Sequence, residues 1–96
     1  MIILIGNAEY NTINYELSGP NMSITLSYDY HNLLMCFLKT PNKLVPMEVL
    51  LNAVAGDRNK LRVYISNLRK NFKFAGAPQE IRNKHNEGYV LKMRLS

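Results

Sequence analysis

Apolar and polar residues alternate in the N-terminal part of the chain, a pattern typical of short antiparallel strands. The alternation covers residues 13–17 and 22–26, and Gly19-Pro20-Asn21 between them is a turn signal. Residues 1–5 are continuously apolar, which predicts a further strand that is covered on both faces. We therefore expect residues 1–26 to form a small antiparallel sheet.

The apolar spacing changes to a helical period after Ser27, a residue suited to cap a helix. This spacing predicts a first helix over residues 28–38, with these residues buried: Leu34, Phe37 and Leu38. A second helix is predicted over residues 46–55, because Pro46 suits a first helical turn and Gly56 a helix end. Its predicted buried residues are Val49, Leu50, Ala53 and Val54.

The longest predicted helix covers residues 58–75 and carries one continuous apolar stripe. The stripe consists of Leu61, Ile65, Leu68 and Phe72. Gly76 and Pro78 follow as helix terminators. A C-terminal hairpin with its tip at residues 84–88 is predicted by Ile81 and the alternating Tyr89, Leu91 and Met93. We expect one α+β domain over residues 1–96, made of strands (1–26), three helices (27–78) and a hairpin (79–96).

Charge divides the chain at the start of the third helix. Residues 1–57 carry two basic and five acidic side chains, whereas residues 58–96 carry ten basic and two acidic ones. The whole chain has a net charge of +5, and the C-terminal part alone has +8. A basic helix and a basic hairpin on a mildly acidic platform predict a polyanion as the partner of one face, with nucleic acid as the leading candidate.

The exposed face of the third helix supplies residue types that recognise base edges in a DNA major groove. A helical projection places the following residues opposite the apolar stripe or beside it: Asn59, Arg62, Val63, Ser66, Asn67, Arg69, Lys70 and Lys73. Asn pairs with adenine, Lys reaches guanine or phosphate, and Val63 suits a thymine methyl. The hairpin tip adds Arg82, Lys84, His85 and Asn86. A basic helix face is often only solvated, so the helix alone leaves both interpretations open, and the hairpin favours nucleic acid.

Other classes of function find little support in the sequence. The chain has no apolar stretch near the ~20 residues of a membrane span and no signal peptide. It has neither a catalytic arrangement nor a His, Cys and carboxylate cluster at metal-ligand spacing. The single cysteine, Cys36, excludes an internal disulfide and fits a reducing cytosol. We expect a cytoplasmic protein that is not an enzyme and holds no cofactor or metal.

Over nearly its whole length the chain resembles the winged-helix effector domain of OmpR/PhoB-type bacterial transcription regulators. The matching motifs are Leu26-Ser27, Leu50-Leu51 to Val54 with Gly56, Val63-x-Ile65-x-x-Leu68-Arg69-Lys70, and Ile81 followed by Gly88-Tyr89-x-Leu91. The resemblance implies a winged helix-turn-helix with a four-stranded N-terminal sheet. It also implies a third helix in the major groove, a wing along the minor groove, and binding as a homodimer or tandem pair on direct-repeat sites.

The same resemblance implies roles for single residues. It points to Val63 for an apolar base contact and to Arg69 and Lys70 for contacts with the DNA backbone and groove. Further contact positions of the family correspond to Asn59, Tyr64, Asn67, Asn83 and His85.

Three features depart from the family pattern. Tyr30 stands where the family has a Glu, which removes the expected capping-box partner. Ala55 stands where the family has an aromatic residue, and only about four residues separate Gly56 from the apolar stripe of the third helix. The family often contacts RNA polymerase through a longer loop at this point, so we do not expect that contact here. We also expect a stand-alone domain without a receiver domain, phosphorylation control or membrane anchor.

These features predict a sequence-specific double-stranded DNA-binding transcription regulator of bacterial or phage origin. The alternative is a winged-helix adaptor that binds and modulates another regulator or an RNA polymerase subunit. Salt dependence distinguishes the two, because phosphate contacts weaken steeply with salt and an apolar protein interface does not.

Overall fold

The computed structural model of the protein describes residues 1–93. Within this range the elements are β1 (Ile2–Ile5), β2 (Ala8–Asn11), β3 (Glu16–Ser18), β4 (Ser23–Thr25), α1 (Tyr28–Lys39), β5 (Leu44–Pro46), α2 (Met47–Val54), α3 (Arg58–Ala75), β6 (Glu80–Lys84) and β7 (Gly88–Lys92). The sheet, the helices and the hairpin follow in the predicted order, and the predicted α+β class is confirmed.

Strands β1 to β4 form an antiparallel sheet in which each strand pairs with the next along the chain. Its inward-facing residues include Ile5, Ala8, Tyr10 and Leu17, all of them buried. The prediction that residues 1–5 are covered on both faces was wrong, because the helices pack on one face of the sheet only. On the other face Leu4 is 68% exposed.

A turn occupies the first half of the segment that was predicted as a strand over residues 13–17. The Asn11 Oδ1 atom accepts hydrogen bonds from the amides of Ile13 at 2.9 Å and Asn14 at 3.3 Å. Such local side-chain bonds give the backbone an alternative to a strand. Ile13 is consequently 81% exposed. The partner of β3 on this side is β2, which the sequence pattern did not predict.

Helix α1 ends one residue beyond its prediction, at Lys39, and buries Leu33 as well as the predicted Leu34 and Phe37. Leu38, also predicted to be buried, is half-buried.

Helix α2 is shorter than predicted at both ends. Pro46 precedes it in extended backbone as the last residue of β5, and Ala55 ends it in the left-handed conformation with φ of 49°. Gly56 is therefore not the terminating residue. The buried side of α2 is formed by Leu50 and Val54. Val49 is 45% exposed, although the sequence predicted its burial.

Helix α3 has the predicted bounds, and its apolar stripe forms the centre of the core. The four stripe residues are each no more than 1% exposed. Asp57 caps the helix by accepting a hydrogen bond from the Lys60 amide at 2.9 Å, and Gly76 ends it with φ of 87°. The turn before β4 covers the C-terminal end of α3, where the Asn21 amide donates to the Ala75 carbonyl at 2.9 Å.

The predicted hairpin is confirmed, but it belongs to a three-stranded sheet of order β5-β7-β6. Strand β5 was not predicted, because three residues including a proline carry no recognisable strand pattern. Gly88 pairs with Pro46, and a Cβ atom at Gly88 would overlap the Val45 carbonyl oxygen. The third strand fixes the hairpin on the body of the protein, with Tyr89 and Leu91 buried. No helix within residues 1–93 is long and apolar enough to cross a membrane.

Candidate nucleic-acid interface

The structure brings the predicted residues of α3 together on its solvent-facing side. Seven are exposed, namely Asn59, Arg62, Val63, Ser66, Arg69, Lys70 and Lys73. The eighth, Asn67, is half-buried. Helix α3 contains no Asp or Glu, so the exposed side is uniformly positive or neutral. Val63 is 56% exposed in the middle of this polar surface.

The hairpin tip presents the predicted wing residues in a tight turn. His85 and Asn86 have positive φ angles of 45° and 64°, and the Glu87 amide donates to the Lys84 carbonyl at 2.8 Å. Two central residues with positive φ are the feature of a type I′ hairpin turn. Arg82, Asn83, His85 and Asn86 are exposed, and Lys84 is half-buried. The turn therefore places the polar side chains of the tip in solvent.

The N-terminal turns of α3 and the hairpin meet at a narrow cleft. Arg58 and Arg62 from the helix line it together with Asn83 and Asn86 from the hairpin. The predicted helix residues and wing residues thus form one continuous surface. Arg58 was missed by the sequence prediction, although it lies four residues before Arg62 and so one helical turn away on the same side.

Two of the predicted DNA-contacting arginines also have partners within the protein. The Arg69 guanidinium donates to the Ile81 carbonyl from Nε at 3.2 Å and again from Nη2, which ties α3 to β6. The Arg82 Nε atom donates to a Glu80 carboxylate oxygen at 2.8 Å. The sequence analysis predicted neither contact: the bond of Arg69 depends on how β6 packs against α3, and the bond of Arg82 to Glu80 lies within β6 itself.

The half-buried Asn67 belongs to a cluster that joins α3 to α1. Its Nδ2 atom donates to the Tyr30 hydroxyl at 2.8 Å, and the Tyr30 ring stacks on Tyr64 with 4.4 Å between centroids. The Tyr64 hydroxyl donates to Asp29 Oδ2 at 3.3 Å. Partial burial and then the negative charge of Asp29 raise the pKa of Tyr64. Tyr64 therefore serves as a structural link.

Nothing in residues 1–93 offers a competing metal site, since no three His, Cys, Asp or Glu side chains are grouped to hold an ion. The side chains of the α3 surface and of the hairpin tip offer hydrogen-bonding groups and positive charge. Both are properties that a nucleic acid backbone and base edges recognise.

Comparison with known proteins identifies the family. The family described as "Transcriptional regulatory protein, C terminal" matches residues 21–91. The chain belongs to this family. Its members are the OmpR/PhoB-type DNA-binding domains, so the predicted family and the predicted class of DNA-binding transcription regulator are confirmed.

The similar proteins agree with this membership. The transcriptional regulatory protein DltR of Streptococcus agalactiae is 33% identical over 95 residues. That match covers 94% of this chain and 42% of DltR, so the chain spans less than half of this relative.

Solved structures show the same fold. The DNA-binding domain of CadC from E. coli has a TM-score of 0.82 at 20% identity, covering 97% of this chain and 92% of that domain. The Klebsiella pneumoniae RstA DNA-binding domain, solved in complex with the RstA box, has a TM-score of 0.75 at 23% identity, covering 95% and 96%. The winged-helix fold implied by the resemblance is thereby confirmed.

Proposed function

We propose that the chain regulates transcription by binding specific double-stranded DNA, with α3 in the major groove and the β6–β7 hairpin along the backbone and the adjacent minor groove. The observation that carries this arrangement is the continuous surface formed by α3 and the hairpin, with Arg58 and Arg62 facing Asn83 and Asn86 across the cleft. A helix of 18 residues is about 27 Å long, more than twice the ~12 Å width of the major groove.

The two ends of α3 have different surroundings, which determines which end reads bases. The C-terminal end is covered by the turn before β4, through the bond from Asn21 to Ala75. Between Asn59 and Lys70, the side of the helix opposite the apolar stripe is exposed. We therefore assign base contacts to the N-terminal and central turns.

The residues divide into two groups by chemistry. Base contacts are assigned to Asn59, Val63, Ser66 and Asn67 on the helix and to Asn83, His85 and Asn86 on the wing. Backbone contacts are assigned to Arg62, Arg69, Lys70, Lys73, Arg82 and Lys84, with Arg58 added from the structure. Phosphate contacts supply affinity and register, whereas each good base contact contributes ~1–3 kcal/mol of discrimination. A pair of copies on repeated sites follows from the family resemblance.

Salt dependence tests the phosphate contacts directly. Replacing Lys70 with Ala should weaken binding to every duplex and reduce the log–log salt slope by about 0.9, because one counterion fewer is released. The measurement is fluorescence anisotropy of a labelled random-sequence duplex, titrated at several salt concentrations. Lys43→Ala is the matched control, since Lys43 is exposed in the loop before β5, beside the end of the hairpin that lies opposite its tip.

A failure of the chain to bind DNA would contradict this proposal. If the wild-type chain fails to bind DNA at low salt, the DNA-binding proposal is wrong. The adaptor hypothesis, in which the partner is another regulator or an RNA polymerase subunit, would then take precedence.

A further inference from the structure

The side chain of Asn67 is held in one orientation before any DNA arrives. The Nδ2 atom donates a hydrogen bond of 2.8 Å to the Tyr30 hydroxyl. A terminal carboxamide otherwise rotates over a broad, roughly two-fold torsional profile. The bond directs Nδ2 towards α1, and it therefore directs Oδ1 away from α1.

The remaining hydrogen-bonding groups of Asn67 match one base. Its amide nitrogen has two hydrogens, and the Tyr30 hydroxyl takes one of them. One N–H donor and the Oδ1 acceptor remain, which is the pair that binds adenine at N7 and at the N6 amino group. Guanine presents two acceptors, N7 and O6, and has no major-groove donor for Oδ1.

The Tyr30 hydroxyl is itself fixed by its neighbours. Its ring stacks on Tyr64 at an interplanar angle of 10°. Tyr64 is held at its hydroxyl by Asp29, and the Lys60 ammonium lies 5.5 Å from the centroid of the Tyr64 ring. The stack on Tyr64, which Asp29 of α1 and Lys60 of α3 hold in turn, thus restrains the Tyr30 ring, so the bond to Asn67 does not depend on a mobile surface group.

We propose that Tyr30 is a positioning residue for specificity: its hydroxyl orients the Asn67 carboxamide so that Asn67 selects adenine over guanine in the major groove. The inference rests on the proposed function and names the base preference at one position of the site. Tyr30 itself stands where the family pattern has a Glu. The preference is therefore a property of this chain's own α1–α3 contact.

The test is selection of preferred duplexes from a randomised library, followed by sequencing of the bound fraction. The variants are Tyr30→Phe, Asn67→Ala and the double variant Tyr30→Phe/Asn67→Ala. Tyr28→Phe is the matched control, because it makes the same chemical change two residues earlier in α1, at a side chain that is 65% exposed and outside the cluster. Affinity for a fixed random duplex is measured for every variant, since a general loss of folding would lower it for all sequences.

We expect the wild type and Tyr28→Phe to prefer adenine over guanine at one position, and Tyr30→Phe to reduce that preference by roughly fivefold or more. Affinity for the random duplex should stay unchanged. Asn67→Ala should lose the same preference, and adding Tyr30→Phe to it should have no further effect.

Two outcomes overturn the inference on its own. One is a Tyr30→Phe base preference identical to that of the wild type, and the other is an equal effect of Tyr30→Phe in the Asn67→Ala background. A wild-type chain that selects no sequence at all overturns the proposed function, and the inference fails with it. Selection by the wild type therefore separates the two failures.

Discussion

At the scale of single residues, Val63 combines an apolar side chain with a position in the middle of the DNA-facing surface. Its side chain lies outside the core, and its exposure to water is unfavourable. Contact with a thymine methyl would bury this apolar surface. Val63→Ser should weaken binding to the preferred duplex by about tenfold, which corresponds to the loss of ~1.4 kcal/mol. Competition anisotropy with preferred and random duplexes measures the effect. Equal weakening on both duplexes would contradict a base contact.

His31 is a residue whose protonation the fold opposes. Its Nδ1 atom shares a hydrogen bond of 2.6 Å with the Tyr10 hydroxyl, and the Tyr15 ring stacks on the imidazole with 3.9 Å between centroids. Burial lowers the pKa of His31 below its ordinary value of 6.5. In the window between that lowered pKa and 6.5, the unfolded chain binds more protons than the folded one, so stability decreases as the pH falls.

We expect neutral His31 to make its whole contribution to the free energy of unfolding above the pKa of His31 in the unfolded chain, about 6.5. The free energy of unfolding should decline as the pH falls below that value. Urea unfolding at about pH 7.5 and about pH 5.5 measures the change. His31→Gln serves as the control, because Gln does not titrate. The decrease in the unfolding free energy of this variant over the same pH interval therefore reports all the other titrating groups. Equal losses for the wild type and His31→Gln would contradict the role given to His31.

At the scale of elements, the hairpin takes its position from β5 and from α3. The approach of β7 to β5 requires a glycine at residue 88, since a Cβ atom there would overlap the Val45 carbonyl oxygen. Gly88→Ala should destabilise the protein by about 1–3 kcal/mol, as backbone atoms cannot yield as easily as a side chain. Gly56→Ala is the control, because its Cβ would meet only the flexible Lys60 side chain. Chemical denaturation measures the free energy of unfolding of both variants. Equal values for the two would contradict the requirement for glycine at residue 88.

Elements with a strong pattern were predictable from the sequence, and elements that depend on a partner were not. The stripe of α3 predicted the buried face of that helix, and Gly76 and Pro78 predicted its C-terminal end. In contrast, β2 and β5 were not predicted, because β5 contains a proline and each of these short strands depends on the strands beside it, β1 and β3 for β2 and β7 for β5. The buried face of α2 contains Leu50 and Val54 and excludes Val49, because the packing of the three helices determines which side of α2 is buried.

The candidate site was predictable to the same degree. Its exposed residues followed from the position of the α3 stripe, because a helix with one face buried must present the other. The bonds of Asn67 to Tyr30 and of Arg69 to Ile81 were not predictable, since each joins elements distant in sequence. Arg58 was missed because its role depends on the hairpin lying opposite it.

At the scale of the whole molecule, charge and architecture point in the same direction. The N-terminal sheet belongs to the part of the chain with a net charge of −3, and it has Glu9 exposed on β2. Helix α3 and the hairpin belong to the part with a net charge of +8. A polyanion should therefore approach from the side of α3 and the hairpin, with the sheet away from it.

The most direct measurement of this claim is a map of amide NMR shifts on addition of the preferred duplex. We expect the largest changes in α3 between residues 59 and 70 and at the hairpin tip between residues 82 and 86. Amides of β1 to β4 should change little. Changes concentrated in that sheet, or the absence of changes in α3, would contradict a DNA interface formed by α3 and the hairpin.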